Sequence, residues 1–234
     1  MTDIKVKNIL VGLPAFAPLY RIRFPFLQEA VIRIFFIAIF TPVARLLPGW
    51  NPSIFTWSSL VSGCAGGLAF YSAEHHSSLY LIGGLLVAIS GSCDSLDGII
   101  ARMNNRTNPK GDFLDHFFDR IIDIALLSGL AYSPGANSTL GIFCLVFAML
   151  NAYLATQIQA SFGQRYYGGM GKPEMFVGII VLSFLIWLHP GPLFHLAGQG
   201  VNFVTLFFLI LALLITVSFI SRISHLWNLL KKLD

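Results

Sequence analysis

The sequence predicts an all-α integral membrane protein with six transmembrane helices, preceded by an N-terminal amphipathic helix on the membrane surface. Of its 234 residues, 56% are hydrophobic and 11% are charged, and the mean hydropathy is +0.74. Soluble domains carry about 25% charged residues, so this composition excludes an ordinary soluble protein. We therefore expect an N-terminal cytoplasmic or interfacial segment over residues 1–50 and a six-helix transmembrane domain over residues 51–234.

The amphipathic helix is predicted within residues 24–47. This stretch is apolar, but it carries Glu29, Arg33 and Arg45 and is interrupted by Pro42. The charges and the proline favour a helix that lies in the membrane interface. Length alone leaves a seventh span open as the alternative.

Six later segments are long and apolar enough to cross a hydrocarbon core of about 30 Å, which takes about 20 helical residues. They cover residues 52–72, 79–102, 111–133, 139–160, 173–189 and 201–221. In the first of them, Gly63 and Gly67 have the spacing that lets two helices pack closely. The three cysteines are far apart in apolar stretches, and they predict neither a disulfide framework nor a zinc site.

Lysine and arginine residues are concentrated in alternate loops. They occur around residues 102–110 and 161–172, in the N-terminal region and in the tail from Arg222 to Lys232, which we expect on the membrane surface. The other loops, near residues 73–78, 134–138 and 190–200, contain neither residue type. With six spans, every basic loop lies on one side of the membrane, which is then the cytoplasmic side. A seventh span would place the basic residues of the N-terminal region on the opposite side.

Six of the eleven acidic residues fall in one block that joins the second and third segments. They are Asp94, Asp97, Asp112, Asp115, Asp119 and Asp123. Each carboxylate costs about 2.5–3.5 kcal/mol at the centre of a membrane helix, so the cluster needs cationic partners. The cations nearby in sequence are Arg102, Arg106, Lys110 and Arg120. Salt bridges to these four are too few for six acids, and the block is therefore a candidate site for divalent metal ions.

Helical spacing places two pairs of these acids on facing surfaces. Asp94 and Asp97 are three residues apart on one predicted helix, and Asp115 and Asp119 are four apart on the next. The short loop between the helices makes them antiparallel neighbours, and both faces lie about 21–22 Å from the outer ends. Four carboxylates at one depth can hold two metal ions, and oxygen ligands favour Mg²⁺ or Mn²⁺ over zinc.

The remaining charged residues of the block are expected to support it. Asp112 and Asp123 are predicted beside the four principal acids. Asp123 lies within reach of Arg120 at a spacing of three residues and is expected to orient it. His116 lies between the acids in sequence, but it points away from their face, where we expect packing or a supporting contact.

The spacing of these residues resembles the signature of the CDP-alcohol phosphotransferases. It reads Asp94-x2-Asp97-Gly98-x2-Ala101-Arg102-x8-Gly111-x3-Asp115-x3-Asp119, so that eight specified positions over 26 residues are all filled. The rest of the chain resembles this family in architecture only. One departure lies at the start of the first span, where many members carry Pro-Asn-x-x-Thr and this chain has Ser53 in the asparagine position. Members that use sugar or glycerol phosphates also have an arginine soon after the threonine, whereas residues 57–60 are not basic.

The resemblance implies a reaction at the membrane interface. The hydroxyl of a polar alcohol attacks a CDP-linked lipid, usually CDP-diacylglycerol, so that a phospholipid forms and CMP leaves. Two divalent cations, Mg²⁺ or Mn²⁺, are implied to bind Asp94, Asp97, Asp115 and Asp119, and Asp119 is implied to act as the catalytic base. The implied CDP site comprises Asp94, Gly98, Ala101, Arg102, Gly111 and Thr56. The family also implies a homodimer with a cytoplasmic active site, in a plasma membrane or an organelle membrane.

The acceptor alcohol is not determined by the sequence. Candidate residues at the cytoplasmic ends of the last three segments are Gln157, Arg165, Lys172 and Glu174. Arg165 and Lys172 suit a phosphorylated acceptor, but they equally suit anchoring at the cytoplasmic surface. Tyr166 and Tyr167, together with Glu174, suit a cationic acceptor such as choline or ethanolamine.

Two other functions use acidic membrane helices. A divalent-cation transporter needs acids at metal spacing, but transporters usually show internal repeats and sites near the midplane. An intramembrane prenyltransferase that depends on Mg²⁺ has two separate aspartate motifs. One compact block near one face favours the phosphotransferase.

Overall fold

The fold comes from a computed structural model that describes residues 29–74, 76–105, 108–163, 170–196 and 199–231, with side chains from residue 36 onward. Nearly all of these residues are helical. The helices are α1 (Glu29–Arg45), α2 (Pro52–Tyr71), α3 (Ser78–Met103), α4 (Pro109–Ala131), α5 (Ser138–Phe162), α6 (Lys172–Leu188) and α7 (Phe203–Leu230). A 3₁₀ turn, Ser72–Glu74, follows α2. Two short antiparallel strands, β1 (Phe194–Leu196) and β2 (Gln199–Val201), pair between α6 and α7, with Phe194 opposite Val201.

Asparagine side chains define where four of the helices begin. Each accepts a hydrogen bond from a backbone N–H in the first turn, which otherwise has no partner inside the helix. The capping residues are Asn51, Asn108, Asn137 and Asn202, at the starts of α2, α4, α5 and α7. In α2 and α4 a proline follows the cap, where its missing N–H is not needed.

Each of the six predicted apolar segments corresponds to one helix, α2 to α7. Four of these helices, α2, α3, α5 and α7, are long and apolar enough to cross a membrane, and the chain is an integral membrane protein. Helix α4 has 23 residues but carries much of the acidic block, and α6 has only 17 residues, so neither is both long enough and apolar enough. The count of six spans therefore stays a prediction.

Helix α1 falls within the predicted amphipathic stretch and packs against α3. Its Ala44 is buried with Leu96, Ile99 and Ile100, which lie at the C-terminal end of α3. Pro42 lies inside the helix. The contact places α1 beside the acidic block, whereas its position on the membrane surface stays a prediction.

Helices α2 and α4 touch through their backbones at two glycines. A Cβ atom added to Gly129 would lie 2.1 Å from the carbonyl oxygen of Gly67, and one added to Gly67 would lie 2.4 Å from that of Ala125. No side chain fits in such a contact, so the predicted close packing around Gly63 and Gly67 is confirmed. The contact holds α4 at a fixed depth against α2.

The remaining contacts bring three helix ends together. Helix α2 packs against both α3 and α4, α3 packs against α6, and α5 packs against α4 and α7. The core between them is apolar and includes Val87, Leu126, Ile179 and Phe208. As a result, the C-terminal end of α3 and the N-terminal ends of α4 and α6 lie side by side. We call this region the acidic end of the bundle.

Helix α7 runs further than the predicted span, and this corrects the expectation of a surface tail beginning at Arg222. Arg222 is only 6% exposed, and its Nη1 donates a hydrogen bond of 2.7 Å to the backbone oxygen of Asn151. Asn151 in turn donates from Nδ2 to Ser218 Oγ at 3.1 Å. Residue 222 thus belongs to the interface between α5 and α7, where its buried guanidinium group bonds to the backbone of α5.

Candidate metal centre and active site

Three acids from two helices converge at the acidic end of the bundle. Asp94 is carried by α3, and Asp115 and Asp119 lie one turn apart on α4. One carboxylate oxygen of each lies within 4.8 Å of the others. The antiparallel arrangement predicted from the short loop therefore brings these three side chains together.

Asp97 stands next to this group without being part of it. It lies one turn beyond Asp94 on α3 and is only 7% exposed. Thr56, on α2, lies near its carboxyl group, and the Thr56 hydroxyl donates to the backbone oxygen of Pro52 at 3.3 Å. Its Oδ2 is buried and has no hydrogen-bond partner among the described residues. A buried carboxylate oxygen without a partner is costly, which fits a bound cation at this position.

Lys172 reaches into the acidic group from a third helix. It is the first residue of α6, and its Nζ lies 2.9 Å from Asp94 Oδ1 and also donates to Asp119 Oδ1. The lysine side chain is 13% exposed. The sequence places four cations near the acidic block and predicts Lys172 in the acceptor site. The structure adds Lys172 as a fifth cation that pairs with the acids.

The other acids of the block pair with their own neighbours. Asp123 is buried and lies 3.0 Å from Arg120, so the predicted contact between them is confirmed. Asp112 and His116 lie 3.9 Å apart on the exposed side of α4. These contacts leave the three converging acids as the part of the block that can bind a shared ion.

Except for Thr56 on α2, the residues assigned to CDP lie on the same two helices, α3 and α4. Arg102 folds back over Gly98, so that a Cβ atom at Gly98 would lie 3.3 Å from its Nη1. Gly111 donates its N–H to Asn108 in the cap of α4 and is exposed. Ala101 is half-buried one turn before the end of α3. Small residues and an exposed guanidinium group at this end leave room for a phosphorylated ligand near the backbone.

The three acceptor candidates among the described residues have different surroundings. Gln157 is exposed on α5, whereas Lys172 is turned into the acids. Glu174 Oε2 accepts a hydrogen bond of 2.9 Å from the N–H of Gly171 and so caps α6. Arg165 lies outside the described residues.

The acidic group fits a divalent metal ion. Its three oxygens are close enough to share one ion, and all the ligands it offers are carboxylates, which suit Mg²⁺ or Mn²⁺. Lys172 and Arg120 supply two positive charges to Asp94, Asp115, Asp119 and Asp123, so these four acids, when ionised, keep an excess of negative charge that attracts a divalent cation. A bundle of apolar helices with such a centre at one end defines a membrane enzyme that acts on a charged group at the interface.

The sequence profile of the CDP-alcohol phosphatidyltransferase family matches residues 50–218. The phosphatidylinositol phosphate synthase of Streptomyces avermitilis is 31% identical over 129 residues, which cover 52% of this chain and 51% of that protein. This chain thus spans about half the length of that relative. The phosphatidylinositol phosphate synthase of Mycobacterium tuberculosis is 31% identical over 172 residues, which cover 69% of this chain and 73% of the relative.

Solved structures show the same fold. The crystal structure of the Mycobacterium tuberculosis enzyme with CDP-DAG bound matches with a TM-score of 0.64 and 24% identity, over 81% of this chain and 94% of that chain. A second crystal structure of that enzyme, in complex with manganese and citrate, matches equally well. The chain belongs to the CDP-alcohol phosphatidyltransferase family, whose members are phosphotransferases of phospholipid synthesis. The family match favours this class over the transporter and the prenyltransferase.

Proposed function

We propose that this protein transfers a phosphatidyl group from a CDP-linked lipid, such as CDP-diacylglycerol, to a phosphorylated polyol of the inositol phosphate class. The acceptor oxygen forms a bond to the phosphorus that carries the lipid. The bond from that phosphorus to the bridging oxygen of the pyrophosphate breaks, and CMP leaves. The observation that carries this proposal is the convergence of Asp94, Asp115 and Asp119 inside a chain of this family.

The four principal acids have distinct roles in the proposal. Asp94, Asp97, Asp115 and Asp119 hold two divalent cations, Mg²⁺ or Mn²⁺, which neutralise the pyrophosphate when bound. Asp119 accepts the proton of the acceptor hydroxyl. A carboxylate suffices as base because phosphoryl transfer depends mainly on position and charge neutralisation, with little covalent chemistry for the protein to do.

The donor site lies at the ends of α3 and α4. Arg102 contacts a phosphate of CDP, and Gly98, Ala101 and Gly111 keep the backbone open to it. Thr56 positions Asp97 from α2. An active site at the end of the bundle lets the acyl chains of the donor stay in the membrane while the polar headgroup reaches the acids.

The acceptor is proposed from the relatives, because two of them are named phosphatidylinositol phosphate synthases, although residues 57–60 of this chain lack the arginine that members using sugar phosphates carry. Arg165 and Gln157 remain candidates for contacting it. Lys172 and Glu174 reach it only if they leave their present partners, which are the acids and the start of α6.

The membrane arrangement completes the proposal. All six helices from α2 to α7 span the membrane, with the basic loops and the active site on the cytoplasmic side. Helix α1 lies on the membrane surface beside α3. From the family resemblance, we also propose that the protein forms a homodimer.

A panel of acceptors tests this function. Purified protein is incubated with Mg²⁺ and CDP-diacylglycerol, and each reaction receives inositol phosphate, inositol, glycerol phosphate, serine or choline. We expect CMP release with inositol phosphate, and none with EDTA or without an alcohol. Release with another alcohol alone would show that the acceptor is wrong. Absence of CMP with every alcohol tested would contradict the reaction.

A further inference from the structure

We propose that Lys172 is a built-in counter-cation of the acidic centre, which competes with divalent metal for Asp94 and Asp119 and leaves them when metal binds. This inference rests on the proposed function in one respect, since it takes these two acids as metal ligands. It assigns Lys172 to the control of metal affinity.

The contacts of the ammonium group support direct competition. Nζ bonds to one oxygen of Asp94 and one of Asp119, and both acids belong to the group whose oxygens lie within 4.8 Å of one another. Nζ also lies 5.1 Å from the ring centre of Phe176, one turn further along α6. A magnesium ion needs such oxygens at about 2.0–2.1 Å. The ammonium group and a metal ion therefore compete for the same two carboxylates.

Neither the dipole nor the cap of α6 favours a lysine at position 172. A cation in the first helical turn lies next to the positive end of the helix dipole, which is unfavourable. The start of α6 is already capped by Glu174, which accepts from the N–H of Gly171. The carboxylates of α3 and α4 explain why a lysine stands here, since they are its bonded partners.

The difference in charge favours the binding of a divalent ion over the lysine ammonium group. One ammonium group offsets a single charge among three clustered carboxylates, whereas a divalent ion offsets two and coordinates the oxygens more closely. A metal ion that enters next to the ammonium group repels it. The flexible stem of a lysine lets the amine withdraw without moving α6. Lys172 therefore lowers the apparent metal affinity and keeps the acids compensated until metal arrives.

Manganese binding tests this inference without any turnover. Free Mn²⁺ is measured by electron paramagnetic resonance over the full chain in detergent, for the wild type, Lys172→Met and Lys110→Met. Methionine keeps the length of the side chain and removes its charge. Lys110 is exposed at the start of α4, so its variant controls for the loss of one charge near the site. We expect Lys172→Met to bind Mn²⁺ on the order of tenfold more tightly, and Lys110→Met to bind as the wild type does.

Thermal unfolding with EDTA and with Mn²⁺ gives a second readout. In EDTA, Lys172→Met should have a lower melting temperature than the wild type, because its acids repel one another. Added Mn²⁺ should raise the melting temperature of Lys172→Met more than that of the wild type. A variant that folds only with Mn²⁺ meets this expectation. Unchanged manganese affinity, or a variant that is unfolded with and without Mn²⁺, would overturn the inference. A higher KM for the alcohol at unchanged manganese affinity would instead make Lys172 an acceptor residue.

The two proposals can fail separately. If the wild type releases no CMP but Lys172→Met binds Mn²⁺ more tightly, the competition holds and the reaction is wrong. If CMP is released and the affinity does not change, the reaction holds and the competition is wrong.

Discussion

Asp119 has two cationic neighbours in the structure. Lys172 donates to its Oδ1, and Arg120 Nη2 lies 4.0 Å from its Oδ2. The side chain is 15% exposed, so part of it stays accessible to a substrate hydroxyl. This position suits a group that both binds a cation and accepts a proton.

Replacing Asp119 by asparagine tests the proposed base. Asparagine keeps the shape of the side chain but neither accepts the proton nor offers a charged ligand. We expect CMP release to fall by at least about 100-fold, with the helical circular dichroism unchanged. Asp112→Asn makes the same change at an exposed position of α4 and should keep its activity. Full turnover by Asp119→Asn would rule out its role as the base.

The sequence could predict the meeting of Asp94 with Asp115 and Asp119 because a short loop joins their helices. Two adjacent antiparallel helices allow few orientations in which their acidic faces do not face each other. The pairing of Lys172 with Asp94 could not be predicted, since 78 residues separate them and their contact depends on how α6 packs against α3. The spacing of the acids in the sequence therefore predicts that they meet, whereas only the fold shows that Lys172 pairs with them.

At the level of elements, helix starts were more predictable than helix ends. An asparagine or a glycine precedes each of the helices α2, α4, α5, α6 and α7, and prolines follow in several of them. The end of α7 was missed because Arg222 interrupts the apolar run while lying buried in the helix. The strands β1 and β2 were missed because each has only three residues, too few for a pattern.

The contact between α2 and α4 makes a prediction for Gly129. Its Cβ would collide with the backbone oxygen of Gly67, and backbone cannot move aside as a side chain can. We expect Gly129→Ala to lower the free energy of unfolding by about 1–3 kcal/mol, measured as a lower melting temperature in detergent.

Gly191→Ala is the control for this variant. A Cβ atom there would meet only His189 Nε2, at 4.0 Å, among the described residues, so its melting temperature should stay close to that of the wild type. Equal melting temperatures for Gly129→Ala and the wild type would contradict the close contact of α2 with α4.

At the level of the whole molecule, the outer surface of the bundle is apolar. Large side chains such as Val61, Leu68, Leu213 and Ile220 are more than half exposed. Lipid is the environment in which such a surface is stable. The acidic end lies at one extremity of this apolar body, as a substrate with a lipid part and a polar part requires.

Cysteine labelling tests the proposed orientation. In a variant without Cys64, Cys93 and Cys144, a single cysteine replaces either His76, before α3, or Lys110, at the start of α4. Both positions are exposed. An impermeant maleimide should label His76→Cys in intact cells and Lys110→Cys only after lysis. The opposite result, or labelling of both in intact cells, would contradict the cytoplasmic active site.

The composition predicted a membrane protein without any structure, whereas the orientation inferred from the alternating basic loops stays a prediction. The composition and the loops could not establish six spans, because the acids of α4 lower its apolarity and α6 is short. Both features belong to the acidic end, where α4 supplies two of the acids proposed as metal ligands and α6 supplies Lys172. The elements that fit the membrane pattern least are thus those that carry the chemistry.

The most direct test of the account is the position of manganese in a crystal soaked with Mn²⁺, located by its anomalous scattering. We expect a peak between α3 and α4, bound to oxygens of Asp94, Asp115 and Asp119, with the Lys172 amine withdrawn from them. A peak elsewhere, or no peak while Lys172 remains bonded to Asp94 and Asp119 at saturating Mn²⁺, would contradict it.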